Sequence, residues 1–254
     1  MGLKRIAAGE FFSNSDRAEL LEARIALLRD DPDEFVCEPV EAIGTAAVRQ
    51  FASAWVDVSQ AKTFRDLGMI WEPDFVLLVR YSDSIEAEPV TSGASPTVVG
   101  GCVCFPTGWS LPEKQGKPLT TVHGPVPGLN ADIGSQIDRM LNSIRPGDGY
   151  QRMNWGLSSS DALNQHPNQQ IEKIRKKFDP HKTFLRIEWQ GLIALDAARL
   201  LFGIRPYHVA LESLRRDSGL AKLLSVNLRT MPQKVAQYKR IEECRDEVIS
   251  YLSG

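Results

Sequence analysis

The chain is poor in most of the features that mark a specialised class of protein. Its four cysteines, Cys37, Cys102, Cys104 and Cys244, include no CxxC pair and no zinc-ribbon spacing. They are too few for a disulfide framework or an iron–sulfur cluster. The four histidines, His123, His166, His181 and His208, never fall three or four apart, so no helix face offers two imidazoles to one metal. Neither sign of charge dominates: 30 Lys and Arg stand against 32 Asp and Glu, for a net charge of −2. That balance gives no electrostatic footprint for nucleic acid or for an anionic membrane surface. No run approaches the roughly eighteen apolar residues of a spanning helix. GxGxxG, the P-loop, GxSxG and HExxH are all missing, so no familiar fingerprint for a nicotinamide, a nucleotide, an esterase elbow or a zinc protease is present. The opening MGLKRIAAGEFF has no long apolar leader core. Together with the scattered thiols, this leads us to expect a cytoplasmic protein.

What is present is ordinary in amount and informative in order. Hydrophobic residues make up 43% and charged residues 24% of 254 positions, enough for one domain with its own core. Residues 15–30 carry Leu20, Ile25 and Leu28 on a helical stripe, with Ser15 or Asp16 as cap. Residues 41–55 also read as helix. Short β-branched runs at 75–79 and 97–105 then predict strands, joined by a polar loop over 82–96. Residues 106–130 hold five prolines and four glycines and predict no regular element. A helix is expected over 132–144, a strand over 151–157, and a polar connection over 164–177 that ends in a basic helical stretch. Strands follow at 182–195 and 200–205. From Pro206 onward the pattern is helical, with helices over 213–228 and from Pro232 to Tyr251. The sum is a single α+β domain over 1–254, with about five strands and helices at both ends. The N-terminal helices span about 1–60 and the C-terminal helices about 206–251.

Three segments bear on chemistry. Gly100-Gly101 within a strand marks a bulge or a close backbone approach. Cys102 and Cys104 share one face of that strand, as small core residues or as soft-metal or heme thiolates. In Phe184-Leu185-Arg186-Ile187-Glu188-Trp189-Gln190, strand alternation puts Arg186, Glu188 and Gln190 on one face. That face is either an ordinary wet surface or a polar pocket wall. His123, within Thr121-Val122-His123-Gly124-Pro125-Val126-Pro127-Gly128, is held by two prolines on its C-terminal side. It is either a structural loop residue or the single rigid axial ligand that a heme needs.

Several ordered segments resemble a known family. They are Cys104-Phe105-Pro106, Trp109-Ser110-Leu111, Glu113-Lys114, Gly116-Lys117-Pro118-Leu119 and His123-Gly124-Pro125-Val126-Pro127. Arg152-Met153-Asn154-Trp155, the segment from Leu185 to Gln190, Ile204-Arg205-Pro206-Tyr207 and finally Tyr238-Lys239 follow in the same order. Together they resemble the heme-dependent oxidative N-demethylase family over roughly 75–239. The resemblance implies a PAS-like antiparallel sheet, heme b, and His123 as ligand to its iron. It further implies oxygen-dependent removal of a methyl group from a small secondary amine, with formaldehyde released and electrons supplied from outside. No reductase, flavin or iron–sulfur signature is visible, so a separate electron-donating protein is the expected partner, and a homodimer is left open. On this reading Glu188, Arg152 and Arg205 are the catalytic set, with Glu188 facing the alkylammonium. His123, Arg186 and Lys117 are the cofactor-binding set. The family commonly continues its Arg-x-Glu segment with Arg-Gln-Thr-Leu and has Thr where Pro206 stands. Here Trp189-Gln190-Gly191-Leu192 and Pro206 depart from that pattern. A heme- or gas-sensing protein without turnover is the alternative.

Overall fold

The computed structural model describes residues 2–15, 17–80 and 94–254. Most of the polar loop expected over 82–96, and Asp16 as a cap, lie outside those residues. The described residues form one antiparallel sheet of seven strands. The strands are β1 (Lys4–Ile6), β2 (Val36–Cys37), β3 (Asp74–Val79), β4 (Thr97–Cys102), β5 (Gly149–Ser158), β6 (Phe184–Ala194) and β7 (Arg199–Ala210). Their order across the sheet is β1-β5-β6-β7-β3-β4-β2.

The class is α+β as expected, but the five-stranded PAS-like sheet is not what forms. The five inner strands match the expected runs, and β1 and β2 add one short strand at each edge. At three and two residues these strands are too short to carry a two-residue alternation. Gly100 explains how β2 reaches β4, since a Cβ there would stand 2.5 Å from the Cys37 carbonyl oxygen. The bulge anticipated at Gly100-Gly101 lies beside it, where the β3–β4 register shifts between Leu77 and Leu78.

Strand β7 also overturns an expectation. It runs through Pro206 to Ala210 instead of giving way to helix. The reason is positional. Pairing of β7 with β3 stops at Ile204, opposite Asp74, so beyond that point β7 has only β6 as a neighbour. A proline is tolerated there because its missing N–H can face away from the single ladder.

Alternation along the strands splits the core in two. Phe75, Leu77, Ile193 and Leu201 face the N-terminal helices α1 (Ala8–Phe12), α2 (Ala18–Asp30), α4 (Ala42–Ala52) and α5 (Phe64–Gly68); α3 (Pro32–Phe35) leads into β2. Val76, Leu78, Leu192, Ala194 and Leu200 face the other way, onto α6 (Leu119–Val122) and α7 (Ser135–Ser143). Helices therefore stand in the middle of the chain as well as at its ends. Gly191 and Gly203 are paired across β6 and β7, and together they form the hollow that seats the Phe11 ring. A Cβ at these positions would lie 2.5 and 2.3 Å from Phe11.

At the C-terminal end, each of the two expected helices is split. Asp217 caps α9 (Ser218–Thr230) and separates it from α8 (Leu211–Arg215), because its carboxylate accepts from the N–H groups of Gly219 and Leu220. The last helix divides into α10 (Gln233–Tyr238) and α11 (Arg245–Ser253), with Arg240 at φ 57° in the break. The basic stretch before residue 178 is not helical; a short 3₁₀ turn, Pro167–Gln169, forms in the polar connection ahead of it. Among the described residues no helix is long and apolar enough to cross a membrane.

Candidate active site

The polar face of β6 is buried. Glu188 is only 6% exposed and Arg186 only 2%, so the open wet surface is excluded. The antiparallel register sets Asn154 opposite Glu188 and Arg152 opposite Gln190, which brings two more polar side chains from β5 onto the same face. Thr107 comes from the irregular run after β4. Lys239 comes from the break between α10 and α11, where the chain turns back over the free edge of β5.

These groups assemble around the Glu188 carboxylate in a regular way. Thr107 Oγ1 donates to Glu188 Oε1 at 2.5 Å. Asn154 Nδ2 at 3.2 Å and Gln190 Nε2 at 2.9 Å donate to Oε2. Each neutral donor is oriented by a cation behind it. Arg186 Nε donates to Thr107 Oγ1 at 2.8 Å, Lys239 Nζ to Asn154 Oδ1 at 3.1 Å, and Arg152 Nε to Gln190 Oε1 at 2.7 Å. Among the described residues no cation forms a direct ion pair with Glu188. A carboxylate offers about four acceptor positions, and the second position on Oε1 is left open.

At the rim of this network Arg152 is exposed and Tyr238 is 46% exposed. Even so, burial lowers the Arg152 guanidinium pKa, and burial followed by the Glu188 charge raises the Tyr238 phenol. Burial also lowers the Lys239 ammonium.

His123 caps the C-terminal end of α6, with its backbone N–H donating to Leu119 O at 2.8 Å. The helix α6 and the turn after it lie within the run expected to have no regular element. The imidazole is half-buried, and its ring nitrogens have no hydrogen-bond partner among the described residues. Burial, helped by the neighbouring Arg152 cation, lowers its pKa.

The remaining candidates have other roles. Arg186 is committed to holding loops: its guanidinium donates to Phe105 O at 2.8 Å, Leu163 O at 3.0 Å and Ala162 O at 3.1 Å. It also meets His208 Nε2 at 2.8 Å. Arg205 pairs in register with Trp189, which places it on the opposite face of the sheet from Glu188, bonded to Glu72 at 2.8 Å. Lys117 is exposed beside β4 and joins no part of the Glu188 network. Cys102 and Cys104 are buried, and Arg24 Nη1 donates to both sulfurs, at 3.4 and 3.7 Å. Thr107 was not anticipated from the sequence, because no periodicity exists in a proline-rich run. Asn154 and Lys239 had a signal only through the ordered motifs that contain them.

The His208 ring has a consequence for stability. Burial, then the Arg186 cation, pushes its pKa from 6.5 down to about 4. Between those values the unfolded chain binds the extra proton, so stability falls as pH drops through that window. Thermal unfolding between pH 7 and pH 4 should show His208→Gln losing less stability than wild type, by on the order of 2 kcal/mol. Parallel curves would refute this.

One comparison with known proteins bears on these residues. A family model described as "Haem-dependent oxidative N-demethylase, alpha subunit-like" matches residues 19–249. That span contains β2 to β7 and every side chain of the Glu188 network.

Proposed function

The chain belongs to the heme-dependent oxidative N-demethylase, alpha subunit-like family, and on that premise we propose that it demethylates a small secondary amine held at Glu188, using heme b ligated by His123. The observation that carries this reading is the state of Glu188: a buried carboxylate, fixed by three neutral donors and, among the described residues, unpaired with any cation and with one acceptor position open. A secondary ammonium is complementary to that arrangement. It brings one positive charge, few N–H groups, and methyl groups that need no hydrogen bonds.

The residues also fit a heme. An imidazole at the C-terminal end of α6 with no hydrogen-bond partner among the described residues suits an axial ligand. Among the described residues, Arg152 and Lys239 are held by neutral acceptors alone, the Gln190 and Asn154 side chains and the Trp155 carbonyl. Their two charges exceed that of Glu188 by one, an excess that a propionate of heme b would offset. Bound heme supplies the oxygen chemistry that these side chains lack. The balanced reaction takes amine, oxygen, two electrons and two protons to the shorter amine, formaldehyde and water. The electrons are assigned to a separate donor protein. Glu188 orients the amine, the sheet and C-terminal break exclude bulk water, and Thr107, Asn154 and Gln190 keep the carboxylate aimed.

The test begins with reconstitution. The protein loaded with heme should show a Soret band, and His123→Ala should lose or markedly shift it while keeping the fold by circular dichroism. An unchanged spectrum overturns the ligand assignment. Reduced, loaded protein offered a panel of small methylated amines should release formaldehyde with at least one of them. Stable oxygen or CO binding without formaldehyde from any amine would instead assign a sensor.

A further inference from the structure

We propose that Thr107 is a positioning residue whose hydroxyl transmits the Arg186 cation to Glu188, holding the carboxylate aimed while leaving its charge free for the ligand. The inference rests on Glu188 as the amine-binding group. It follows from proton counting. A hydroxyl has one proton. Arg186 Nε can only donate, so the contact at 2.8 Å occupies a lone pair of Oγ1. The single Thr107 proton must then go to Glu188 Oε1, at 2.5 Å. Arg186 itself cannot swing away, because its other nitrogens are held by the carbonyls of Phe105, Ala162 and Leu163 and by His208.

The geometry differs in kind from an ion pair. A guanidinium placed directly on Glu188 would fill its acceptor positions and cancel its charge. A hydroxyl placed between them fixes direction without neutralising the carboxylate. Among the described residues Thr107 is also the one donor on Oε1, the oxygen with the open acceptor position, so it sets where that position points. Asn154 and Gln190 act on the other oxygen. The charged and titratable groups facing this carboxylate are Arg152 from β5, Arg186 from β6, and Tyr238 and Lys239 from the C-terminal break. His208 adjoins it through Arg186 and His123 through Arg152. None of these replaces the hydroxyl on Oε1.

The experiment measures dimethylammonium binding to heme-loaded protein by calorimetry. In parallel, the infrared carboxylate stretch of Glu188, identified by its absence in Glu188→Gln, is recorded for each variant. Thr107→Val should weaken binding about tenfold and shift that carboxylate band, because the donor on Oε1 is lost. Thr107→Ser should restore both. Coincidence of Thr107→Val with wild type in both measurements overturns the proposal. If Glu188→Gln binds amine like wild type, the amine reading fails, yet the infrared shift still decides what Thr107 does to the carboxylate. Loss of the fold in both Thr107→Val and Thr107→Ala, with Thr107→Ser native, would assign the hydroxyl to the fold alone and overturn it.

Discussion

Replacing Glu188 by glutamine is expected to lower kcat/KM for a small secondary amine by roughly 100- to 1,000-fold, with the Soret band unchanged. The size follows from removing one partner of a desolvated charge pair, an effect of about 3–4 kcal/mol. The substitution keeps shape and volume, so packing on β6 is preserved. It changes two things at once. The charge that complements an ammonium disappears, and the new amide NH₂ faces donors: Thr107 on one side, Asn154 and Gln190 on the other. At least one of these donors must turn away, which removes orientation along with charge. Glu188→Asp separates the two effects. It keeps the charge but withdraws it by one methylene from Thr107, and a loss intermediate between wild type and Glu188→Gln is expected. Steady-state formaldehyde release, read with the absorption spectrum of each variant, checks both. Turnover by Glu188→Gln within about fivefold of wild type would remove Glu188 from the site.

How much of this was legible in the sequence depends on which physical signal each residue carried. The five inner strands announced themselves through β-branched runs between turn residues, and β6 declared its polar face through strict alternation. Glu188 and Gln190 could therefore be placed together before any fold was known. The same alternation could not rank their roles. Arg186 sits in phase with Glu188 and so shared its candidacy, yet its donors are consumed by loop carbonyls that are distant in sequence. Arg205 shows the second limit. Its side is decided by the β6–β7 register, which pairs it with Trp189, and an offset of one residue would have put it beside Glu188. Thr107 and Lys239 show the third. One lies in an irregular run and the other in a break within an apparently continuous helix, so tertiary packing alone brings them to the carboxylate. The missing edge strands β1 and β2 belong with these, since Gly100 and the Ile6 region matter only once their neighbours are in place.

Arg205→Met is expected to destabilise the fold by about 3–5 kcal/mol, a fall in melting temperature of roughly 10 °C, while leaving the heme spectrum of the folded protein intact. The argument starts from burial: Arg205 and Glu72 are each only 2% exposed at the side chain. The guanidinium donates to Glu72 Oε1 at 2.8 Å and also to the carbonyls of Phe11 and Ser13. Glu72 in turn accepts from the backbone N–H and hydroxyl of Ser15, at 2.7 and 2.6 Å. The pair thus fastens the segment that delivers Phe11 into the Gly191–Gly203 hollow, with the guanidinium over the Phe11 ring at 5.1 Å. Methionine refills much of the volume but strands the Glu72 charge and two carbonyls in a dry interior. Most of the penalty is that stranded charge, so adding Glu72→Gln should recover part of it, and the double variant should melt above Arg205→Met alone. Calorimetric melting of the four members of this cycle, with absorption spectra recorded at low temperature, provides the check. A melting temperature for Arg205→Met within about 2 °C of wild type, joined to loss of heme or turnover, would move Arg205 from the packing of the N-terminal segment into the chemistry of the site.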